Sequence, residues 1–182
     1  GSGAAGGIGG VLGGSGYIKN CYSSATVIDQ IANNTGKAGG IIGRVNGNAS
    51  GSSIENCYSS GDISAIGGGN AGGIVGKVDG GKLVIKNCIA WNSMLVSTDK
   101  AKVGRIVGGT ANATYENCYA YDGMILKAGE ATFTVSDETS PSGSSFQGVA
   151  KSTNELKSTV ISWDSSLWKE GNNGYPVFKW SK

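Results

Sequence analysis

One five-residue phrase is written four times in this chain. It reads Ile18-Lys19-Asn20-Cys21-Tyr22, Ile54-Glu55-Asn56-Cys57-Tyr58, Ile85-Lys86-Asn87-Cys88-Ile89 and Tyr115-Glu116-Asn117-Cys118-Tyr119. Ahead of each copy stands a glycine-led apolar phrase: Gly6-Gly7-Ile8-Gly9-Gly10, Gly39-Gly40-Ile41-Ile42-Gly43, Gly72-Gly73-Ile74-Val75-Gly76 and Val103-Gly104-Arg105-Ile106-Val107-Gly108. A unit of roughly 30 residues that returns with its punctuation intact is the mark of a solenoid, because one unit cannot bury its apolar face without the next.

Composition narrows the solenoid type. The 33 glycines cluster at fixed points of the repeat, so they act as turn residues and not as low-complexity filler. Two prolines exclude collagen, and a net charge of +2 with interspersed signs leaves no basic stripe for nucleic acid. No apolar run reaches the roughly 18–20 residues of a membrane span. The chain opens Gly1-Ser2-Gly3 without methionine, from which a continuation upstream into further repeats or another domain is expected.

Each repeat carries three strand candidates divided by turn residues. In the second repeat these are Gly39–Val45, Ser53–Ser59 and Asp62–Ile66, parted by Asn46-Gly47-Asn48 and Ser60-Gly61. Residues 1–120 show no helical period. The predicted fold is therefore all-β: a single-stranded parallel β-helix (β-solenoid) of about four coils, with a C-terminal aromatic cap and one short helix. The coils are expected at 4–27, 37–66, 70–97 and 101–126 within a solenoid over 1–126, followed by a loop and cap over 127–182.

The Asn-Cys step predicts a corner. In a straight strand Ile54 and Cys57, three apart, would face opposite ways, yet both prefer the interior. A residue that turns the chain between them resolves the conflict, and asparagine tolerates the left-handed conformation this needs. An asparagine ladder (Asn20, Asn56, Asn87, Asn117) with a cysteine ladder inside it (Cys21, Cys57, Cys88, Cys118) follows, with Tyr22, Tyr58 and Tyr119 facing outward. The competing register has no corner, buries Asn and Tyr and exposes Cys. The cysteines form no Cys-x-x-Cys pair and no histidine exists to complete a zinc site, so buried free thiols are preferred over disulfides or metal.

The end of the chain differs. Ser136–Gly148 reads as a Ser-rich loop containing Pro141, and Ser152-Thr153-Asn154-Glu155 matches a capping box for a helix to about Val160. Trp163, Trp168, Tyr175, Phe178 and Trp180 then form an aromatic cluster, expected to cover the open end of the solenoid in preference to binding sugar.

Gly39–Val45 followed by Ile54-Glu55-Asn56-Cys57-Tyr58-Ser59-Ser60-Gly61 closely resembles the GLUG-motif repeat of bacterial secreted and surface proteins. These include adhesin-like proteins and the non-catalytic portions of some IgA-cleaving metallopeptidases. The tail is similar to that family's ending as well, through Glu155-Leu156-Lys157, Trp163-Asp164, Trp168, Gly174-Tyr175-Pro176 and Trp180. The fourth copy departs from it at Arg105 and Tyr115. The resemblance implies a β-solenoid in an extracellular or cell-surface bacterial setting, and it carries no catalytic residues to transfer.

Sequence motifs for chemistry fail on inspection. Without histidine, Ser-His-Asp and Cys-His catalysis in their usual forms are excluded. Gly1–Gly6 fits a dinucleotide pattern with no strand before it, Gly76-Lys77 lacks the rest of a phosphate loop, and no calcium-roll spacing occurs. Asp62 and Asp79 lie in different turns and do not recur as a facing pair. Asn33-Asn34-Thr35, Asn48-Ala49-Ser50 and Asn112-Ala113-Thr114 fit the glycosylation pattern and mark exposed loops. No catalytic, cofactor or metal residue is assigned. The leading reading is a non-enzymatic, adhesin-like module that presents loops to a host protein or glycan, or acts as a rigid spacer. The alternative is a carbohydrate-binding module using Tyr22, Tyr58 and Tyr119, and the third is a polysaccharide-degrading β-helix enzyme.

Overall fold

The computed structural model describes residues 3–47, 50–109, 113–139 and 145–181, without the side chain of Ser50. Coil one comprises β1 (Ala5–Gly6), β2 (Gly9–Leu12), β3 (Tyr17–Lys19), β4 (Tyr22–Ser23) and β5 (Val27–Asp29). Coil two repeats them as β6 (Lys37–Gly39), β7 (Ile42–Val45), β8 (Ser50–Glu55), β9 (Tyr58–Ser59) and β10 (Ile63–Ala65). Coil three follows as β11 (Asn70–Gly72), β12 (Val75–Val78), β13 (Lys82–Lys86), β14 (Ile89–Ala90) and β15 (Met94–Ser97). Coil four holds β16 (Val103–Gly104), β17 (Ala113–Glu116), β18 (Tyr119–Tyr121) and β19 (Ile125–Ala128), with an isolated bridge at Val107 in place of its second strand. Like strands pair in parallel, coil upon coil, in five sheets along one axis. The chain is a parallel β-solenoid of about four turns.

Five strands per coil replace the three expected from sequence. Asn56 divides Ser53–Ser59 as a corner. Gly39–Val45 is also divided, at Gly40-Ile41, because Ala38 and Ile41 are both fully buried and, three apart, can both point inward only across a bend. The corner keeps its ladder: the Ile74 carbonyl accepts the amides of Ile41 at 3.0 Å and Ile42 at 3.1 Å from the coil before it.

Glycine makes this bend possible. A Cβ on Gly39 would lie 2.0 Å from the Ile42 carbonyl oxygen and 2.5 Å from the Gly76 nitrogen. The two arms of the bend approach so closely that no side chain fits between them. The pinch divides the interior into two apolar columns. One runs through Ile41, Val45, Ile54, Cys57, Ile74, Leu83 and Ile85, and the other through Ala38, Ile63, Ala65, Leu95 and Leu126.

At the opposite corner all four asparagines adopt left-handed φ: 53° at Asn20, 51° at Asn56, 49° at Asn87 and 51° at Asn117. Each side-chain amide donates to the asparagine oxygen one coil earlier, at 3.0 Å (Asn56 to Asn20), 3.0 Å (Asn87 to Asn56) and 3.1 Å (Asn117 to Asn87). Beside this ladder runs one of alternating charge, with Lys19–Glu55 at 3.3 Å and Lys86–Glu116 at 2.9 Å. Inside it, Cys57 and Cys88 are fully buried, Cys118 nearly so and Cys21 half-buried, and all four are free thiols.

Replacing Asn56 by Ala puts a residue without asparagine's tolerance into the left-handed conformation, costing about 1–2 kcal/mol, and removes two ladder bonds at about 1 kcal/mol each. Denaturant unfolding of Asn56→Ala is therefore expected to show a loss of about 3–4 kcal/mol. Asn56→Gly, which relieves the backbone term alone, should lose about half of that.

Candidate functional site

The outward tyrosine row, read from sequence as a weak sugar-binding candidate, is covered by the chain's own tail. After the solenoid come β20 (Ala131–Phe133), β21 (Val149–Lys151), α1 (Thr153–Trp163), β22 (Trp168–Glu170) and β23 (Pro176–Phe178). The Glu155 carboxylate accepts the Ser152 amide at 2.9 Å and starts α1, which buries Leu156 and Val160. The antiparallel pair β22–β23 then lies along the flank.

Tyr22 and Tyr58 are stacked, 5.2 Å apart at 8°, and both rings tilt against Trp168. Phe178 lies 5.4 Å from Tyr22 in coil one, and Tyr175 lies 4.8 Å from Trp91 in coil three. The Tyr58 hydroxyl donates to the Pro176 carbonyl. Burial pushes this phenol well above its ordinary pKa, with the neighbouring Tyr22 and Tyr175 adding to the shift. Tyr58 is 1% exposed, so no sugar can reach it. Tyr119 is half-buried under the Lys151 ammonium, 3.8 Å from its ring centre. Where the repeat substitutes Ile89 for tyrosine, Trp91 fills the gap two residues on and joins the same aromatic cluster.

The cap aromatics also sit elsewhere than expected. Trp163, Trp168, Tyr175 and Phe178 pack on the flank and not on the open end, while Trp180 stacks on Phe178 at 4.5 Å and stays 67% exposed. Residues 131–139 and 145–151 cover the end instead, and they imitate part of a fifth coil. The Phe146 carbonyl accepts the amides of Ile106 at 3.0 Å and Val107 at 3.1 Å, as Ile74 does for Ile41 and Ile42. β21 pairs with β18 in parallel register, Val149 opposite Tyr119. The Phe146 ring stacks 3.8 Å from Tyr115, the residue that replaces isoleucine in copy four. Ser140 to Ser144, with Pro141, lie outside the described residues, as do Asn48, Ala49 and Asn112 of the glycosylation patterns and Gly1-Ser2 of the dinucleotide pattern.

Arg105, which stands where the other copies have their second glycine, is the clamp of this closure. Its Nε donates to the Gln147 carbonyl at 3.0 Å, and one terminal nitrogen reaches Gly148 O at 2.7 Å and Asp137 Oδ1 at 2.8 Å. The hydrogen bond from Arg105 holds the Asp137 carboxyl below its ordinary range. Sequence reading did not single out Asp137, Phe146 or Gln147. The signal that could have found them was the pair of departures at Arg105 and Tyr115, where one coil must meet something other than a coil.

The remaining candidates for chemistry are engaged in structure. Burial pushes the Asp79 carboxyl up, but Lys77 (2.9 Å) and Arg44 outweigh it and hold the pKa low. Asp62 accepts the Met94 amide at 3.1 Å. Burial raises the Cys118 thiol to about 12, and the Cys57 thiol together with burial raises Cys21. A thiol held protonated is a poor nucleophile. Among the described residues no group of three or more His, Cys, Asp or Glu is placed to hold a metal. Among the described residues no helix is long and apolar enough to cross a membrane. One cleft of about 340 Å³ opens beside Tyr115, Asn117, Tyr119, Glu138 and Phe146, where coil four meets the closing segment.

Against known proteins, residues 34–64, essentially coil two, match the GLUG motif, in keeping with the resemblance carried by the repeat. The whole chain is similar to a solved crystal structure of a "putative immunoglobulin A1 protease" from Bacteroides ovatus. The two are 51% identical with a TM-score of 0.91, over 100% of this chain and 55% of that one. This chain thus spans just over half the length of that protein. No curated protein matches the sequence.

Two measurements check this site. Trp168 is 1% exposed and its indole N–H has no hydrogen-bond partner among the described residues. Trp168→Ala should cost about 3–5 kcal/mol, whereas Trp168→Phe, which removes the unpaired donor, should cost less than about 1.5 kcal/mol by chemical denaturation. Asp137 has its folded pKa lowered from 3.8, so its pairing with Arg105 contributes fully above that value and is lost as pH falls through the folded pKa. Protection factors over residues 145–151, corrected for the intrinsic pH dependence of exchange, are expected to fall below about pH 4, and Arg105→Gly should bring the same loss of protection at neutral pH.

Proposed function

We propose that this chain is a non-enzymatic, extracellular or cell-surface β-solenoid module of adhesin-like kind, a rigid spacer that holds loops out to a host protein or glycan. The observation that carries the reading is the use made of the repeated polar side chains. The asparagines bond coil to coil, the Lys/Glu positions pair coil to coil, and the Cys57 and Cys118 thiols are buried and pushed toward the protonated form. Groups fixed in this way stiffen a rod and do not serve a reaction.

Variation is concentrated in the loops that carry the chain from one coil to the next. Residues 30–36, 66–69 and 98–102 differ in length and sequence while the strands around them hold register. Asn33 and Asn34 adopt left-handed φ of 73° and 60°, and Asp99 accepts the Ala101 amide to open a short helical turn. This row of exposed, individually shaped loops along one edge suits partner recognition. The similarity to a protein named as an immunoglobulin A1 protease supports an extracellular setting. In this reading the solenoid positions a partner, and cleavage is no part of what these residues do.

Incubation of the purified chain with immunoglobulin A1, followed by electrophoresis of the heavy chain, tests the reading. An intact heavy chain after prolonged incubation is expected. Fragments whose yield tracks this chain through purification would overturn the non-enzymatic assignment.

A further inference from the structure

The two ends of the solenoid are finished differently. At the C-terminal end the closing segment covers part of the last coil, pairing with β18 and β19 and bridging Val107, while β16 and β17 remain the last strands of their sheets. At the other end β1, β2, β3, β4 and β5 are each the last strand of their sheet, with nothing described against their outer edge. The interior column surfaces here. Ala5, Leu12, Ile18 and Cys21 are half-buried, although Ala38, Val45, Ile54 and Cys57, at the same positions one coil on, are fully buried. Ile8, Val11, Tyr17, Ile28 and Ile31 are exposed on the same coil. A concavity of about 420 Å³ opens between Ala4–Gly7, Gly10 and Ala25–Ile28.

This face is also specific in its polar groups. Every side-chain amide of the asparagine ladder donates toward the N-terminal end, and at Asn20 the row stops with no acceptor among the described residues. The Ile41, Ile74, Ile106 and Phe146 carbonyls each accept two amides from the preceding coil, and at Ile8 that column also stops. The charges beside the ladder run Lys19, Glu55, Lys86, Glu116, so the next place in the alternation calls for an acid. Gly3 lies against Asp29 and Ile31, the ground over which Gly36 brings the chain from coil one into coil two. Chain entering ahead of Ala5 therefore already follows the path of an inter-coil connection.

We propose that this end is a docking surface for one further coil of the same repeat, tethered ahead of Ala5. The corner of that coil carries an acidic residue over Lys19, an asparagine over Asn20 and an apolar side chain or cysteine over Cys21. The occupant is recognised by register, by one complementary charge and by a shared apolar column. A second copy of the chain fits less well, since its C-terminal end is covered over β18 and β19 by the closing segment and a two-fold pairing of N-terminal ends would not reproduce the parallel ladder.

The test compares the chain as it stands with a version in which a copy of residues 38–70 is joined directly to Ala5. Ala5, Ala38 and Ala71 share one register, so the join repeats a native junction and places a copy of Glu55 over Lys19. Amide exchange over residues 17–23 is expected to slow by at least about tenfold, because the outward-facing amides of edge strands gain partners. The thermal midpoint should rise, and a copy carrying Glu55→Lys should give clearly less protection. Far-ultraviolet circular dichroism of both extended chains verifies that the added coil is folded strand. Unchanged exchange over residues 17–23 overturns the proposal, and so does equal protection by the Glu and Lys copies. Concentration-dependent protection in the unextended chain, matched by dimers in sedimentation, would overturn it in favour of a second copy.

Discussion

Everything in this molecule depends on the parallel hydrogen-bond ladder between successive coils, held in register at its two sharpest corners. A parallel pairing over strands of two to six residues gives little stability on its own. Here the register is fixed at each turn by a residue that could not sit elsewhere. One corner needs the left-handed backbone of Asn20, Asn56, Asn87 and Asn117, whose amides then bond to each other. The other needs glycines with no Cβ, because backbone from two coils meets there. A slip of one residue would place a branched side chain in the pinch and turn every interior side chain outward.

The solenoid handles its surfaces by covering them selectively. The tyrosine row would be an exposed aromatic patch if the coils stood alone, and the tail lays Trp168, Tyr175 and Phe178 over it. The last coil would expose its edge, and residues 131–139 and 145–151 supply a partial fifth coil held by Arg105 and Phe146. Departures from the repeat therefore mark contacts: Arg105 and Tyr115 face the closing segment, and Ile89 with Trp91 faces the tail. In a structure built from near-identical units, the exceptions are where one unit touches something else.

Much of the architecture was legible in the chain. The coil number follows from the fourfold repeat, and the left-handed asparagine corner and the inward cysteines follow from residues three apart that must face the same way. The second corner follows from the same reasoning applied to Ala38 and Ile41, but the glycines between them resemble an ordinary strand interruption. The destination of the tail was not legible. An aromatic cluster at the end of a solenoid suits both its open end and its flank, and amphipathic rings carry no address. The tyrosine row is covered for that reason: the side chains do face out of the coil, yet whether that surface meets water depends on a tail that lies far away in sequence.

By itself, the sequence determined the period, the inward and outward faces and the positions where the backbone must turn. These are local matters of sterics and alternation, settled within one coil and repeated. Only the tertiary structure decided which surfaces are free. The tail covers the flank and the closing segment covers part of the last coil, because exposure is a property of how distant segments pack and no spacing between residues encodes it.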